Sequence, residues 1–241
     1  MTASDPRLPL YQQVRDEMAA KIARREWRPA EPIATEQELA KTYAIAVGTV
    51  RKAVDLLVAE GLLERFQGRG TFVKRASFDG SLFRFFRFQN SAGERQIPVS
   101  RILRREVVAA PHAVAEPLSL REGAKAIHMS RLRSIDGMPI LAEEIWLPYD
   151  KFKSFLAVET GEIGDLLYPE YETHCGQVVA SASETLTVET VDRTCARLLG
   201  LKSGTPVVLI ERLAYSYDRQ PLEWRRSRGP ATHFRYHVEI R

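Results

Sequence analysis

Cysteine is nearly absent. Cys175 and Cys195 are the only two in 241 residues, too few for a disulfide framework or a cysteine-built zinc site. They read as free thiols of a reducing compartment. Histidine is sparse too: His112, His128, His174, His233 and His237. The last two are four apart, but they flank the strand-like run Phe234-Arg235-Tyr236, so they should share one side of a strand without converging on an ion. No metal and no cofactor are expected. No apolar run approaches the ~18 residues of a membrane span. The first residues lack the charged-then-apolar order of a secretion signal, so a cytoplasmic protein with no membrane partner is expected. There is no glycine-rich phosphate loop, no serine nucleophile elbow and no pair of catalytic acids at a recognisable spacing. An enzyme is therefore not the first expectation.

Hydrophobic residues make up 44% and charged residues 27% of the chain, a balance suited to globular domains. The length allows two of them. The net charge of +4 is uneven. Residues 1–75 hold 13 Lys and Arg against 10 Asp and Glu, whereas residues 76–241 hold 22 against 21. The basic excess sits in the smaller segment, where an anionic partner would be met.

Leu10, Val14, Met18 and Ile22 recur every four residues, which predicts a helix over about 10–26. Pro9 opens it, and Trp27, Pro29 and Pro32 end it. Thr35-Glu36-Gln37-Glu38 is a capping box that opens a short helix to about Tyr43. After the turn Ala44-Ile45-Ala46, a third helix is predicted over 47–60, with Val50, Val54 and Leu57 inward and Gly61 as its stop. Its other side carries Gly48, Lys52 and Asp55, flanked by Thr49 and Arg51. Small residues beside basic ones suit a helix that enters a major groove. Two short strands follow, Leu62–Phe66 and Thr71–Val73, around Gln67-Gly68-Arg69-Gly70. Gly68 and Gly70 supply the positive φ of the turn, and Arg69 at its tip suits a minor groove. Together these features predict a winged helix-turn-helix reader of double-stranded DNA. The candidate contacts are Thr35, Gln37, Thr49, Arg51, Lys52, Gln67, Gly68 and Arg69.

The landmarks Pro9-Leu10-Tyr11-Gln12-Gln13-Val14, Thr35–Ala40, Thr49–Ala53, Glu60–Leu63 and Gly68–Val73 resemble the DNA-binding domain of GntR-type bacterial regulators. Gln37 and Val47 stand where that family customarily has DNA-contacting arginines. Ala46 stands where it has a serine cap, a loss of ~1 kcal/mol. The resemblance implies DNA binding with an operator altered from the family's usual one.

Residues 76–96 read as a linker around the aromatic run Leu82–Phe88. From Ile97 the texture becomes strand-like. Strands are predicted over 100–108, 126–135, 140–147, 178–188, 207–217, 221–227 and 234–240. Helices are predicted over 151–158, 163–169 and 190–199. This is an α+β domain on a mainly antiparallel sheet. The run of Arg131-Leu132-Arg133, Asp136-Gly137-Met138-Pro139, Glu143, Trp146-Leu147-Pro148, Leu199-Gly200-Leu201, Arg212, Pro221-Leu222-Glu223 and Phe234-Arg235-Tyr236 resembles the UTRA effector domain of the HutC subfamily, a chorismate-lyase-like fold. The domains are then 8–75 for the reader, 76–96 for the linker, and 97–241 for effector binding and dimerisation.

Arg131 and Arg133, two apart on one strand, share a face and suit a phosphate or carboxylate. The UTRA resemblance implies that Arg131, Arg133 and Glu143 hold a small effector, a sugar phosphate, a carboxylate or a similar anion. Phe88 and Glu223 complete the candidate set. A structural ladder of ion pairs is the competing reading, above all for Glu223 and Arg212. Near 162–164 and Gly229 the chain lacks the Ser and Tyr of the family's sugar-phosphate binders. The expected protein is a repressor that binds a palindromic operator as a homodimer and is released by a metabolite. The alternatives are a DNA-binding protein with a purely structural C-terminal domain and a chorismate-lyase-like enzyme.

Overall fold

A computed structural model describes residues 8–29, 31–74 and 97–234. The expected linker, with Phe88, and the end of the last expected strand lie outside the described residues. The chain forms two compact units. No helix among the described residues is long and apolar enough to cross a membrane.

The first unit contains α1 (Leu10–Ala23), α2 (Glu36–Tyr43), α3 (Val47–Ala59), β1 (Leu63–Phe66) and β2 (Gly70–Val73). The apolar stripe of α1 is buried from Val14 onward through Met18 and Ile22, whereas Leu10 is exposed. Val50, Ala53, Val54 and Leu57 of α3 complete the core with Leu63 and Val73. Burying each large aliphatic side chain contributes about 1.5–3 kcal/mol. The capping box of α2 is fully formed: Thr35 Oγ1 accepts from the Glu38 N–H, and Glu38 Oε2 accepts from the Thr35 N–H at 2.8 Å. By contrast, Ala46 leaves α3 without a side-chain cap. β1 and β2 pair antiparallel from Leu63↔Val73 to Phe66↔Gly70. Gly68 and Gly70 take φ of 72° and 110° in the turn, conformations an L side chain resists.

The second unit contains β3 (Val99–Ala109), α4 (His112–Ala115), β4 (Lys125–Ile135), β5 (Met138–Pro148), α5 (Tyr149–Phe152), a 3₁₀ turn (Lys153–Ala157), α6 (Leu167–Cys175), β6 (Ser181–Thr190), α7 (Arg193–Leu199), β7 (Pro206–Tyr215), β8 (Pro221–Pro230) and a 3₁₀ turn (Ala231–His233). Its strands form one antiparallel sheet in the order β3-β4-β5-β8-β7-β6. One face packs Ile127, Met129, Ile145 and Leu147 against Phe152, Phe155, Leu167 and Tyr171. The other face is covered at one end by α7, through Cys195, Ala196 and Leu199 against Leu132, Ala142 and Val207. At its other end α4 packs on Ala126.

Several expectations need correction. The helix expected over 163–169 begins at Leu167 and runs to Cys175. Pro169 falls in its first turn, where a missing N–H is tolerated, so the proline marks a start and not an end. The helix expected over 151–158 is short and gives way to the 3₁₀ turn. Arg105 donates to the carbonyls of Phe155, Leu156 and Val158 at 2.8, 3.2 and 2.7 Å, which closes that turn from the side of β3. Strand β6 lies about three residues later than expected. His233 ends a 3₁₀ turn and not a strand. Helix α4 was not expected from the sequence.

Candidate nucleic-acid interface and ligand site

In the winged unit the expected contact residues divide between two elements and their supports. Gln37, Arg51, Lys52, Gln67, Gly68 and Arg69 are exposed, and Thr49 is half-buried. Thr35 is engaged in its own capping box, where Oγ1 also donates to Glu38 at 2.8 Å. Arg51 is 63% exposed yet not loose: its Nε donates to Glu36 Oε2 at 2.8 Å. The other oxygen of Glu36 accepts from Arg65 Nη2 at 2.9 Å, and Arg65 also bonds Asp55. The lattice Arg51–Glu36–Arg65–Asp55 thus ties α2, α3 and β1 together at the surface of the expected recognition helix. Glu36 and Arg65 were not singled out in the sequence, although the spacing of Glu36 beside its cap residue would have placed it there.

Lys52 reaches back to α1, its Nζ 3.8 Å from the ring centroid of Tyr11. Arg69 lies over the edge-to-face pair Phe66 and Phe72, 5.5 and 6.0 Å from their centroids. Cation–π contact steadies both side chains while their charges stay at the surface.

In the sheet unit the alternation of strands builds a polar band across one face. Along β4 the inward residues run Ile127, Met129, Arg131, Arg133, Ile135. Along β5 they run Leu147, Ile145, Glu143, Leu141, and along β7 Ala214, Arg212, Ile210, Val208. The apolar ends fall into two separate core clusters. Between them lie Arg131, Arg133, Glu143, Arg212, Glu223, Arg225 and Ser227, all buried.

Arg131 and Glu143 are register partners, and Arg131 Nε and Nη2 donate to Glu143 Oε2 at 2.6 and 2.5 Å. Ser227 donates to Glu143 Oε1 at 2.9 Å, with Arg225 Nη1 3.6 Å away. Arg225 Nη2 also donates to Glu223 at 2.6 Å. Glu223 accepts from Tyr171 at 2.8 Å and Tyr168 at 3.2 Å. Arg212 donates to Tyr168 at 3.4 Å and to Glu184 at 2.6 Å. A continuous polar chain therefore crosses from β6 to β4.

Burial opposes the charge on Glu143, but the guanidinium groups of Arg131, Arg225 and Arg133 outweigh it and bring its pKa down to about 2. Burial, with Glu223 beside it, pushes the Tyr171 phenol well above its usual value. Arg133 stands apart. Burial lowers its pKa to about 10, and its one hydrogen bond among the described residues runs from Nη2 to Pro98 O at 3.2 Å. Among the described residues, Arg131 Nη1, Arg133 Nε and Arg225 Nε are buried without a hydrogen-bond acceptor. Such donors cost about 1–3 kcal/mol each when unmatched. An anion or polar ligand would answer them.

The structure thus brings Arg131, Arg133, Glu143 and Glu223 into one band. Both carboxylates are already engaged by protein donors, and the arginines hold the unmatched groups. Arg225, Ser227, Tyr168 and Tyr171 were missed. The rule that paired Arg131 with Arg133 also places Arg225 and Ser227 on the face of Glu223. No group of three or more metal-ligating side chains occurs among the described residues.

The profile of bacterial regulatory proteins of the gntR family matches residues 10–73, and that of the UTRA domain matches residues 94–235. The HTH-type transcriptional repressor NagR of Bacillus subtilis is 27% identical, over 91% of this chain and 90% of its own. The HTH-type transcriptional regulator SmoD of Agrobacterium fabrum is 29% identical, over 88% and 87%. The crystal structure of PhnF from Mycobacterium smegmatis superposes with a TM-score of 0.55 at 23% identity, over 95% of this chain and 99% of that one.

Proposed function

We propose that this chain, which belongs to the GntR family of bacterial regulatory proteins and carries a UTRA domain, is a transcriptional repressor released from DNA by a small anion. The family supports the coarse role: the relatives are transcriptional regulators and repressors, not enzymes. The finer reading is our own. Residues 8–75 read the operator, 76–96 connect, and 97–241 bind the effector and dimerise. One winged helix contacts a single half-site, which favours a palindromic operator read by a homodimer. The expected DNA contacts are Thr35 at the cap of α2, Gln37, Thr49, Arg51 and Lys52 on the helices, and Gln67, Gly68 and Arg69 on the wing.

The observation that carries the effector reading is the set of three buried guanidinium groups, each with an unmatched N–H, around one saturated carboxylate. Arg133 is the member with no ion-paired carboxylate among the described residues, so it is the primary anchor. Arg131, Arg225 and the carboxylates hold it in place.

The test is a thermal-shift screen of the full chain against sugar phosphates and carboxylates. A ligand of the folded state raises apparent stability by mass action, about 2.7 kcal/mol at a hundredfold excess over its dissociation constant. Stabilisation by at least one anion, lost in Arg133→Gln, is the expected result. If no anion stabilises the protein or alters operator binding, the C-terminal domain is structural.

A further inference from the structure

Residues 97–100 are the first described residues of the sheet unit. Two side chains from different elements fasten this backbone. Arg133 of β4 donates to Pro98 O at 3.2 Å. Asp165, just before α6, accepts from the Ser100 N–H at 2.5 Å. Glu143 and, more weakly, Asp165 act electrostatically on the Arg133 guanidinium. Arg133 is thus both the cation with no ion-paired carboxylate among the described residues and the donor that holds the entry to β3.

We propose that Arg133 and Asp165 form a latch that passes occupancy of the anion site to the backbone at Pro98–Ser100, and so to the connection with the DNA reader. The inference rests on the anion-site reading given above. An arriving anion offers Arg133 a charge-assisted partner, stronger than the neutral carbonyl of Pro98. The same negative charge repels Asp165 and weakens its hold on Ser100. Both fasteners loosen in the same sense. The coupling needs no long chain of intermediaries, because the ligand anchor and the fastened backbone meet in one hydrogen bond. A ligand acts on an equilibrium only through contacts that differ between the two states, and the exchange at Arg133 is such a contact.

The test needs no effector. An operator selected from random duplexes is titrated with full-length wild type, Arg133→Gln and Asp165→Ala, without added ligand. The latch predicts that both variants shift ligand-free operator affinity in the same direction, by about fivefold or more. It also predicts faster amide hydrogen exchange at Ser100 in both. An arginine that merely touches ligand would leave both readouts unchanged. Asp165 is only half-buried, so Asp165→Ala carries the test if Arg133→Gln is poorly folded. Wild-type affinity in folded Asp165→Ala, or shifts of opposite sign in the two variants, overturns the latch. Loss of anion stabilisation in Arg133→Gln with unchanged ligand-free affinity sinks the latch and leaves the site reading intact. Shifted ligand-free affinity with no response to any anion sinks the site reading, and the trigger with it.

Discussion

Arg51 on α3 donates its Nε–H to Glu36 on the first turn of α2, at 2.8 Å. That bond restrains the guanidinium and leaves both Nη groups without a hydrogen bond among the described residues. An arginine held this way presents the two-pronged donor that guanine O6 and N7 accept. Arg51→Ala should lower operator affinity about tenfold or more. Arg69→Ala should do the same through the wing. Both should move the melting temperature only slightly, because exposed ion pairs and cation–π contacts contribute about 1 kcal/mol or less. Gel-shift titration at matched salt checks the prediction. Wild-type affinity in both variants removes the DNA-contact assignment.

The buried pair is a different case. Glu143→Ala leaves Arg131, Arg225 and Ser227 without their shared acceptor. Breaking a buried pair from one side should cost about 3–5 kcal/mol. Urea denaturation of the variant reports it directly. A loss below ~1 kcal/mol would mean that the band is open to water.

Stability should depend on pH with two opposite signs. Glu143 titrates near 2 in the folded protein, below its ordinary 4.5. Its contribution is complete above that ordinary value and is lost as pH falls toward 2, in total about 3 kcal/mol. His128 lies between Glu106 and Glu144 and stacks on Trp146 at 4.2 Å. Burial lowers its pKa, but the two carboxylates prevail and raise it above 6.5. Its contribution is complete below that value and is lost as pH climbs through the raised folded value. Melting curves across pH should therefore flatten at the acid end in Glu143→Gln and on the side above 6.5 in His128→Gln. Unaltered profiles would contradict both assignments.

Arg105 closes the turn after α5 by donating to three carbonyls. Arg105→Met keeps the apolar stem and removes those donors. A loss of about 1–3 kcal/mol is expected, with faster proteolytic nicking around 153–158. Nicking no faster than wild type would show that the turn holds without the arginine.

Much of the architecture was legible because local chemistry and tertiary packing agree. The capping box at Thr35, the stripe of α3 and the Asp136-Gly137 hairpin each place their elements within a few residues. Where they disagree, the reading slipped. Pro169 has opposite meanings at the two ends of a helix, and only the burial of Leu167 and Tyr171 decides between them. The site was half legible. Spacing by two put Arg131 and Arg133 on one face, and the same rule applied to 223–227 adds Arg225 and Ser227. Tyr168, Tyr171 and Asp165 come from a helix and a turn that pack onto the sheet from elsewhere in the chain. No local pattern in the sequence points to them. Nor does composition reveal that Glu143 is saturated by its neighbours, which depends on the pairing of β5 with both β4 and β8.

That double pairing bears on the order in which the molecule assembles. β3 to β5 and β6 to β8 are each built from neighbouring strands joined by local connections. The two halves meet along one seam, where Ala142–Trp146 pair with Arg228–Trp224. The partners across it are about 80 residues apart in sequence, a separation that carries a large loop-closure cost and slows pairing. Glu143, Ser227 and Arg225 all lie on that seam. The polar band is therefore completed by the last strands to meet, and its ion pairs close only when the fold is finished.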